Sequence, residues 1–193
     1  MLNDILYKVS IKSVHGSTGI AVNDLQSDSR FVSAGSCFIA ISGTVADGHH
    51  FIDSAIAAGA TSIVCEVLPQ QLNNEVTYVQ VENSNIAAGF MSHNFYGEPS
   101  SKMKLVGVTG TNGKTTVATL LWNLFTSLGY TCGLVSTVQN QVGNKIIEST
   151  HTTPDAISLN KLLNEMYSSG CSYVFMECSS HAIQQHRIAG LIF

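Results

Sequence analysis

The chain has 193 residues, 45% of them hydrophobic, 8% aromatic and 11% charged, with a formal charge of -4. That apolar content excludes disorder as the dominant state, because there is surface enough to offset the entropy of ordering the chain. Nine Lys and Arg against thirteen Asp and Glu disfavour a general nucleic-acid backbone binder, which would be basic. Cys37, Cys65, Cys132, Cys171 and Cys178 are scattered, with no C-x-x-C pair. An odd count without metal-ligand spacing reads as reduced, buried thiols of a cytoplasmic protein. The start, Met1-Leu2-Asn3-Asp4, has no basic region before an apolar run. No apolar stretch approaches the ~18 residues needed to cross a bilayer.

In the first half, Cys37-Phe38-Ile39-Ala40-Ile41 reads as a strand. Phe51, Ile52, Ala55, Ile56 and Ala58 fit one face of a helix that Gly59 ends. Residues 61–65 and 76–81 read as further strands, and 85–95 as another helix. This is the alternation of a small α/β domain. Gly97-Glu98-Pro99-Ser100-Ser101-Lys102 has the composition of an interdomain linker, so domains of 1–97 and 98–193 are expected.

In the second half, Lys104-Leu105-Val106-Gly107-Val108 reads as a buried strand followed by a glycine-rich turn. Val117, Leu120, Leu121, Leu124, Phe125 and Leu128 then share one helix face, with Gly129 as the stop. That face is expected against a sheet, where burying it would contribute roughly 9–18 kcal/mol gross. Residues 132–137 read as a strand. Leu159, Leu162, Leu163 and Met166 mark a helix closed by Gly170, and Tyr173-Val174-Phe175-Met176 a buried strand ending in Glu177. Leu191-Ile192-Phe193 resembles the start of another strand, so a piece of a longer protein, or a family outlier, is expected.

The strongest chemical signal is Thr109-Gly110-Thr111-Asn112-Gly113-Lys114-Thr115-Thr116, placed between strand and helix as a phosphate-binding loop must be. Glycines let the backbone wrap an anion, and the positive end of the next helix faces it. Lys114 supplies charge for β- and γ-phosphates, and the Thr115 hydroxyl can join a Mg²⁺ shell. The strict G-x-x-x-x-G-K-[ST] pattern fails at Val108. Glu177, at the carboxyl end of an apolar strand, lies where α/β sheets bind ligands and could hold Mg²⁺ or orient water. His151-Thr152-Thr153-Pro154-Asp155 reads as a helix start with Pro154 in the first turn, and alone favours an ordinary cap. Ser27-Asp28-Ser29-Arg30 and Gly43-Thr44-Val45-Ala46-Asp47-Gly48-His49-His50 are polar loops that composition does not make sites. His15, His93 and His186 show no metal spacing, and His49 and His50 cannot face one way along a strand.

Taken together, Asp28-Ser29-Arg30, Ala46-Asp47-Gly48-His49, the loop 110–116, Thr152-Thr153-Pro154-Asp155 and residues 177–187 resemble the Mur ligase family. The likeness covers essentially the whole chain, and Val108 is the family's usual form there. The first-half loops and Ser179-Ser180-His181-Ala182 narrow it to members that add the third residue of the peptidoglycan stem peptide. The resemblance implies a small N-terminal α/β UDP-binding domain followed by part of a P-loop-type parallel-sheet ATPase domain. It implies an ATP-dependent amide ligase, with ATP and Mg²⁺ as cofactors. The substrates would be UDP-N-acetylmuramoyl-dipeptide and a diamino acid, meso-diaminopimelate or lysine. A monomer without nucleic-acid or membrane partners is expected.

The implied roles fall on matched positions. Ser27, Ser29, Thr44, Val45 and Ala46 would contact the uridine diphosphate portion. Thr152, Thr153, Ser179, Gln185 and Arg187 would hold the muramoyl-dipeptide. Gly110, Thr111, Asn112, Gly113, Lys114, Thr115 and Thr116 would bind ATP. Lys114 and Glu177 would be catalytic, and Thr115 and Glu177 would hold the metal. The family's later metal-binding histidine, its carbamylated lysine and its C-terminal domain match nothing before Phe193, so the chain by itself is expected not to complete ligation. A folylpolyglutamate-synthetase-like ligase shares the ATPase design but lacks the first-half domain. A non-catalytic nucleotide- or UDP-sugar-binding module is the alternative from another class.

Overall fold

Short apolar runs in the chain pair into two separate sheets. The computed structural model describes residues 1–43, 46–148 and 153–193. The chain divides into two units, Met1–Phe95 and Tyr96–Phe193.

The first unit runs α1 (Leu2–Ile5), β1 (Ile11–His15), β2 (Asp24–Gln26), β3 (Ser36–Ile39), α2 (Ile52–Ala57), β4 (Ser62–Cys65), β5 (Thr77–Val81) and α3 (Ser84–Phe95). Its sheet has the order β1-β5-β4-β3-β2, with β2 to β5 parallel and β1 antiparallel on β5. The central strands are buried along their length, as parallel strands covered on both faces must be. Phe38, Ile63, Cys65 and Tyr78 form one face of the core with Ile52 and Ala55 of α2. α1 packs on α3, and Asn94 ties them by donating to the carbonyls of Ile5 and Tyr7 at 2.9 and 2.7 Å. The strands β1 and β2 were not expected. β2 has three residues, and β1 is largely exposed with no apolar alternation to announce it.

The second unit runs β6 (Lys104–Val108), α4 (Lys114–Ser127), β7 (Cys132–Val135), β8 (Gln139–Val142), β9 (Lys145–Glu148), α5 (Ala156–Ser168), β10 (Tyr173–Glu177) and α6 (Ser180–Gln184). The sheet order is β6-β10-β7-β8-β9; the first three strands are parallel, and β8 and β9 form an antiparallel hairpin. Leu159, Leu163 and Met166 of α5 pack on one face against Val135, Val142, Val174 and Met176.

α4 covers the other face, but with only Leu121 and Phe125 of the expected stripe. Ala118 is fully buried, and Leu121, Trp122 and Phe125 pack beside it on Cys132, Leu134 and Phe175. Val117, Leu120, Leu124 and Leu128 are 46%, 61%, 53% and 63% exposed. The helix is apolar around more than one stripe, so a 3.6-residue period fits two faces. The aromatic pairs of Phe125 with Tyr173 and Phe175, at centroid distances of 4.7 and 5.1 Å, mark the face that binds.

Three local expectations are corrected. Asp155, not Pro154, starts α5: its carboxylate caps the helix by accepting from the amides of Ile157 and Ser158, both at 3.0 Å. His49 and His50 lie in a 3₁₀ turn, Gly48–Phe51, and not on a strand. Leu191, Ile192 and Phe193 have no strand pairing; the Ile192 amide donates to Ser100 Oγ at 3.0 Å, and the Phe193 ring lies against Gly107.

All five cysteines are buried and unpaired. Burial pushes the Cys37 thiol up to about 12 and those of Cys65 and Cys178 to about 11. Among the described residues, no helix is long and apolar enough to cross a membrane.

Candidate nucleotide and substrate sites

In the second unit the site grows from the ends of β6, β10 and β7. The loop after β6 is exposed from Thr109 to Gly113. Gly113 is the N-cap of α4 at φ 80°, and Gly110 stands at φ 144°, backbone that L-residues rarely adopt. No side chain caps the helix, and a Cβ at Gly113 would meet nothing within 4 Å. The first-turn amides of α4 therefore open outward with the positive end of the helix, which is the geometry an anion needs. Lys114 Nζ folds back over the loop, donating to the carbonyl of Gly110 at 2.7 Å and of Thr111 at 3.4 Å. Its charge is thus already held above the loop.

Glu177 is 1% exposed at the end of β10, in register with Val108 of β6. Its Oε2 accepts from Thr115 Oγ1 at 3.0 Å and from Thr137 Oγ1 at 3.1 Å, and its Oε1 accepts from the Thr137 amide at 2.9 Å. These donors stabilise a buried carboxylate. The Thr115 and Glu177 oxygens are as far apart as neighbouring oxygens in an octahedral Mg²⁺ shell, about 3 Å. One carboxylate and one hydroxyl form the sparse donor set of a Mg²⁺ that also takes water and phosphate oxygens, so these residues fit that ion. Among the described residues no group of three or more His, Cys, Asp or Glu could hold a metal by itself. Thr137, which sequence reasoning missed, follows a strand expected to run through it; only the register of β7 beside β10 brings it to Glu177.

The same strand end gathers further predicted residues. Buried Thr153 donates through Oγ1 to the carbonyl of Glu177 at 2.9 Å and accepts from the Ser179 amide at 3.4 Å. Arg187 donates through Nη1 to the Thr153 carbonyl at 2.7 Å, and through Nε and Nη2 to Gln185 Oε1 at 2.9 and 2.6 Å. Ser179 caps α6, its Oγ accepting from the Ala182 amide at 3.1 Å. Thr153, Gln185 and Arg187 thus form one hydrogen-bonded cluster beside Glu177. Thr116 is exposed on the first turn of α4. Thr152 and its neighbour His151 lie outside the described residues.

In the first unit, Ser27 and Ser29 follow β2, and Ala46 follows β3; β2 and β3 are parallel neighbours, so both segments lie on the carboxyl edge of the sheet. Ser27 and Ser29 are half-buried, and Ala46 is exposed. Arg30 is exposed, its side chain held against its neighbour two residues back. It grips Asp28 through Nε and Nη2 at 2.9 and 2.5 Å, and this hydrogen bond holds the Asp28 carboxyl below its usual range. Thr44 and Val45 lie outside the described residues.

Comparison with known proteins places both units in one family. The Mur ligase middle domain matches residues 108–193, and the domain described as Mur ligase family, catalytic domain, matches residues 22–94. A UDP-N-acetylmuramoyl-L-alanyl-D-glutamate--2,6-diaminopimelate ligase of Cytophaga hutchinsonii is 55% identical over all of this chain and 40% of its own length. The protein of the same name from Bacteroides fragilis is 51% identical, again over 40% of its length. The chain thus spans about 40% of the length of the curated relatives it matches. A solved ligase of that name superposes with a TM-score of 0.73 at 25% identity, over 88% of this chain and 34% of that one. A MurF ligase from Thermotoga maritima in complex with ADP shares the fold, with a TM-score of 0.54 at 24% identity over 81% of this chain and 32% of that one. With an open glycine loop ahead of α4, a buried acid at the end of β10, and two domain matches in this order along the sequence, the chain belongs to the Mur ligase family.

Proposed function

We propose that the protein is a cytoplasmic ATP-dependent ligase that joins a diamino acid to UDP-N-acetylmuramoyl-L-Ala-D-Glu. Residues 1–97 would serve as its UDP-binding domain and 98–193 as part of its ATP-binding domain. The observation that carries this reading is the convergence of Lys114, Thr115 and Glu177 at the open mouth of the 110–116 loop. The names of its relatives favour 2,6-diaminopimelate over lysine.

In this reading the amides of residues 110–116 and the Lys114 ammonium bind the β- and γ-phosphates. Thr115 and Glu177 would hold Mg²⁺, which when bound would neutralise charge on those phosphates. Both reactants are anionic, so a preorganised positive field is the main requirement of phosphoryl transfer. The substrate carboxylate forms a bond to the γ-phosphorus as the bond to ADP breaks. The amine of the diamino acid then attacks the acyl carbon, phosphate leaves, and an amide remains. Arg187, with its fork on Gln185 and its bond to Thr153, would orient an anionic substrate group near Glu177. Ser179 stands beside it. Ser27, Ser29, Thr44, Val45 and Ala46 would take the uridine diphosphate end, and Thr152 would join Thr153 at the peptide end.

The test is phosphate release by the full-length protein with ATP, Mg²⁺ and UDP-N-acetylmuramoyl-L-Ala-D-Glu, comparing diaminopimelate with lysine. Release that requires diaminopimelate is expected. Nucleotide and UDP-sugar binding with no turnover would favour a non-catalytic module instead.

A further inference from the structure

His49 sits at the carboxyl edge of the first unit's sheet, and its side chain is 13% exposed. Its Nδ1 lies 2.6 Å from Asp47 Oδ1. Its Nε2 accepts from the Glu66 amide at 2.9 Å and the Val67 amide at 3.3 Å, just beyond β4. Two amide protons aimed at Nε2 require its lone pair, so the ring is neutral and its proton is on Nδ1, donated to Asp47. Asp47 Oδ1 also accepts the His49 amide at 3.0 Å.

The strut is anchored on both sides. The Glu66 carboxylate accepts from the amide and hydroxyl of Ser84, both at 2.8 Å, at the start of α3. The Glu66 carbonyl accepts from Gln80 at 3.0 Å. On the other side, the Gly48 amide donates to the Ile41 carbonyl at 2.8 Å. A Cβ at Gly48 would stand 2.7 Å from the Ile41 nitrogen, so residues 46–48 press directly on the chain leaving β3.

We propose that His49 is a positioning residue for nucleotide recognition in the first unit: as the Nδ1–H tautomer, its ring ties Asp47 to the exit of β4 and so sets the place of Ala46. This rests on the reading of Ala46 as a uridine diphosphate contact. An exposed segment that must order on binding loses affinity by the entropy of ordering it, and the strut meets that cost on folding.

The test is calorimetric titration of the full chain with UDP, comparing wild type with His49→Gln and His49→Phe. The carbonyl oxygen of Gln accepts the two amides in place of Nε2, so binding close to wild type is expected. Phe has no acceptor, and UDP affinity should fall on the order of tenfold, the equivalent of ordering one residue. ATP affinity, which belongs to the second unit, should be unchanged in both variants, and urea unfolding of each variant reports whether the first unit is folded. UDP affinity unchanged in His49→Phe overturns the proposal. Should wild type itself not bind UDP, the uridine reading fails, and the ¹⁵N ring spectrum of wild-type His49 decides the strut separately. A protonated Nδ1 with a bare Nε2 is expected there; a protonated Nε2 overturns the strut, and the same spectrum decides if His49→Phe does not fold.

Discussion

Thr115 Oγ1 donates to Glu177 Oε2 across 3.0 Å, joining the first turn of α4 to the end of β10 over a separation of 62 residues. The two oxygens belong to elements that each need the other: the helix presents its hydroxyl only because it packs on the sheet that ends in the acid. Thr137 completes the arrangement from β7's side by donating its amide and hydroxyl to the same carboxylate.

Replacing that acid should separate its structural and metal roles. Glu177→Ala leaves the Thr137 amide without this acceptor and should cost about 1–3 kcal/mol in urea denaturation. Glu177→Gln keeps an acceptor and should cost less. Both should flatten the Mg²⁺ dependence of ATP binding, and a Mg²⁺ titration superposable on wild type would remove Glu177 from the metal site.

Lys114 contributes little to the fold, because its visible partners are two carbonyls of its own exposed loop. Lys114→Ala should leave stability within about 0.5 kcal/mol. ATP affinity by calorimetry should fall at least about tenfold, the loss of a charge-assisted contact of about 1.5–3 kcal/mol. Equal affinity would refute the phosphate loop.

The two stripes of α4 should answer mutation very differently. Phe125, partly buried, packs among Tyr173, Phe175 and Tyr130, and Phe125→Ala should cost about 1–3 kcal/mol. Leu124 is 53% exposed, so Leu124→Ala should stay within about 0.5 kcal/mol. Thermal or urea unfolding checks both, and comparable losses would mean the wrong face has been assigned to the sheet.

The buried thiols make stability fall in alkali. Their folded pKa values, about 12 for Cys37 and about 11 for Cys65 and Cys178, lie above the unfolded value of about 8.5. Below that unfolded value the protonated thiols contribute fully. From there toward pH 11–12 the unfolded chain loses protons that the folded one keeps, and stability declines. Denaturation midpoints across pH 8 to 10.5 should fall less steeply in Cys37→Ala. In the native protein at pH 8 all five thiols should resist alkylation that they undergo once unfolded.

The segment from Lys104 through α4 was legible because each signal in it is local: an unbroken apolar run, glycines at positive φ, then a helical period. The same holds for β10, matched from Tyr173 to Glu177. Asp155 was hidden by the proline beside it, since residue type alone does not say which of two adjacent starters takes the cap. The β8–β9 hairpin left no mark either, because its first strand, Gln139–Val142, is largely polar yet buried. By itself, then, the sequence determined that a strand, a glycine loop and a helix stand together here and that an acid closes a second strand, since neighbours in the chain suffice for both. Which stripe of α4 meets the sheet, that Thr137 serves Glu177, and that His49 braces the edge of β4 were decided only in three dimensions, because each depends on partners that chain spacing leaves undefined and sheet register brings within hydrogen-bond or van der Waals reach.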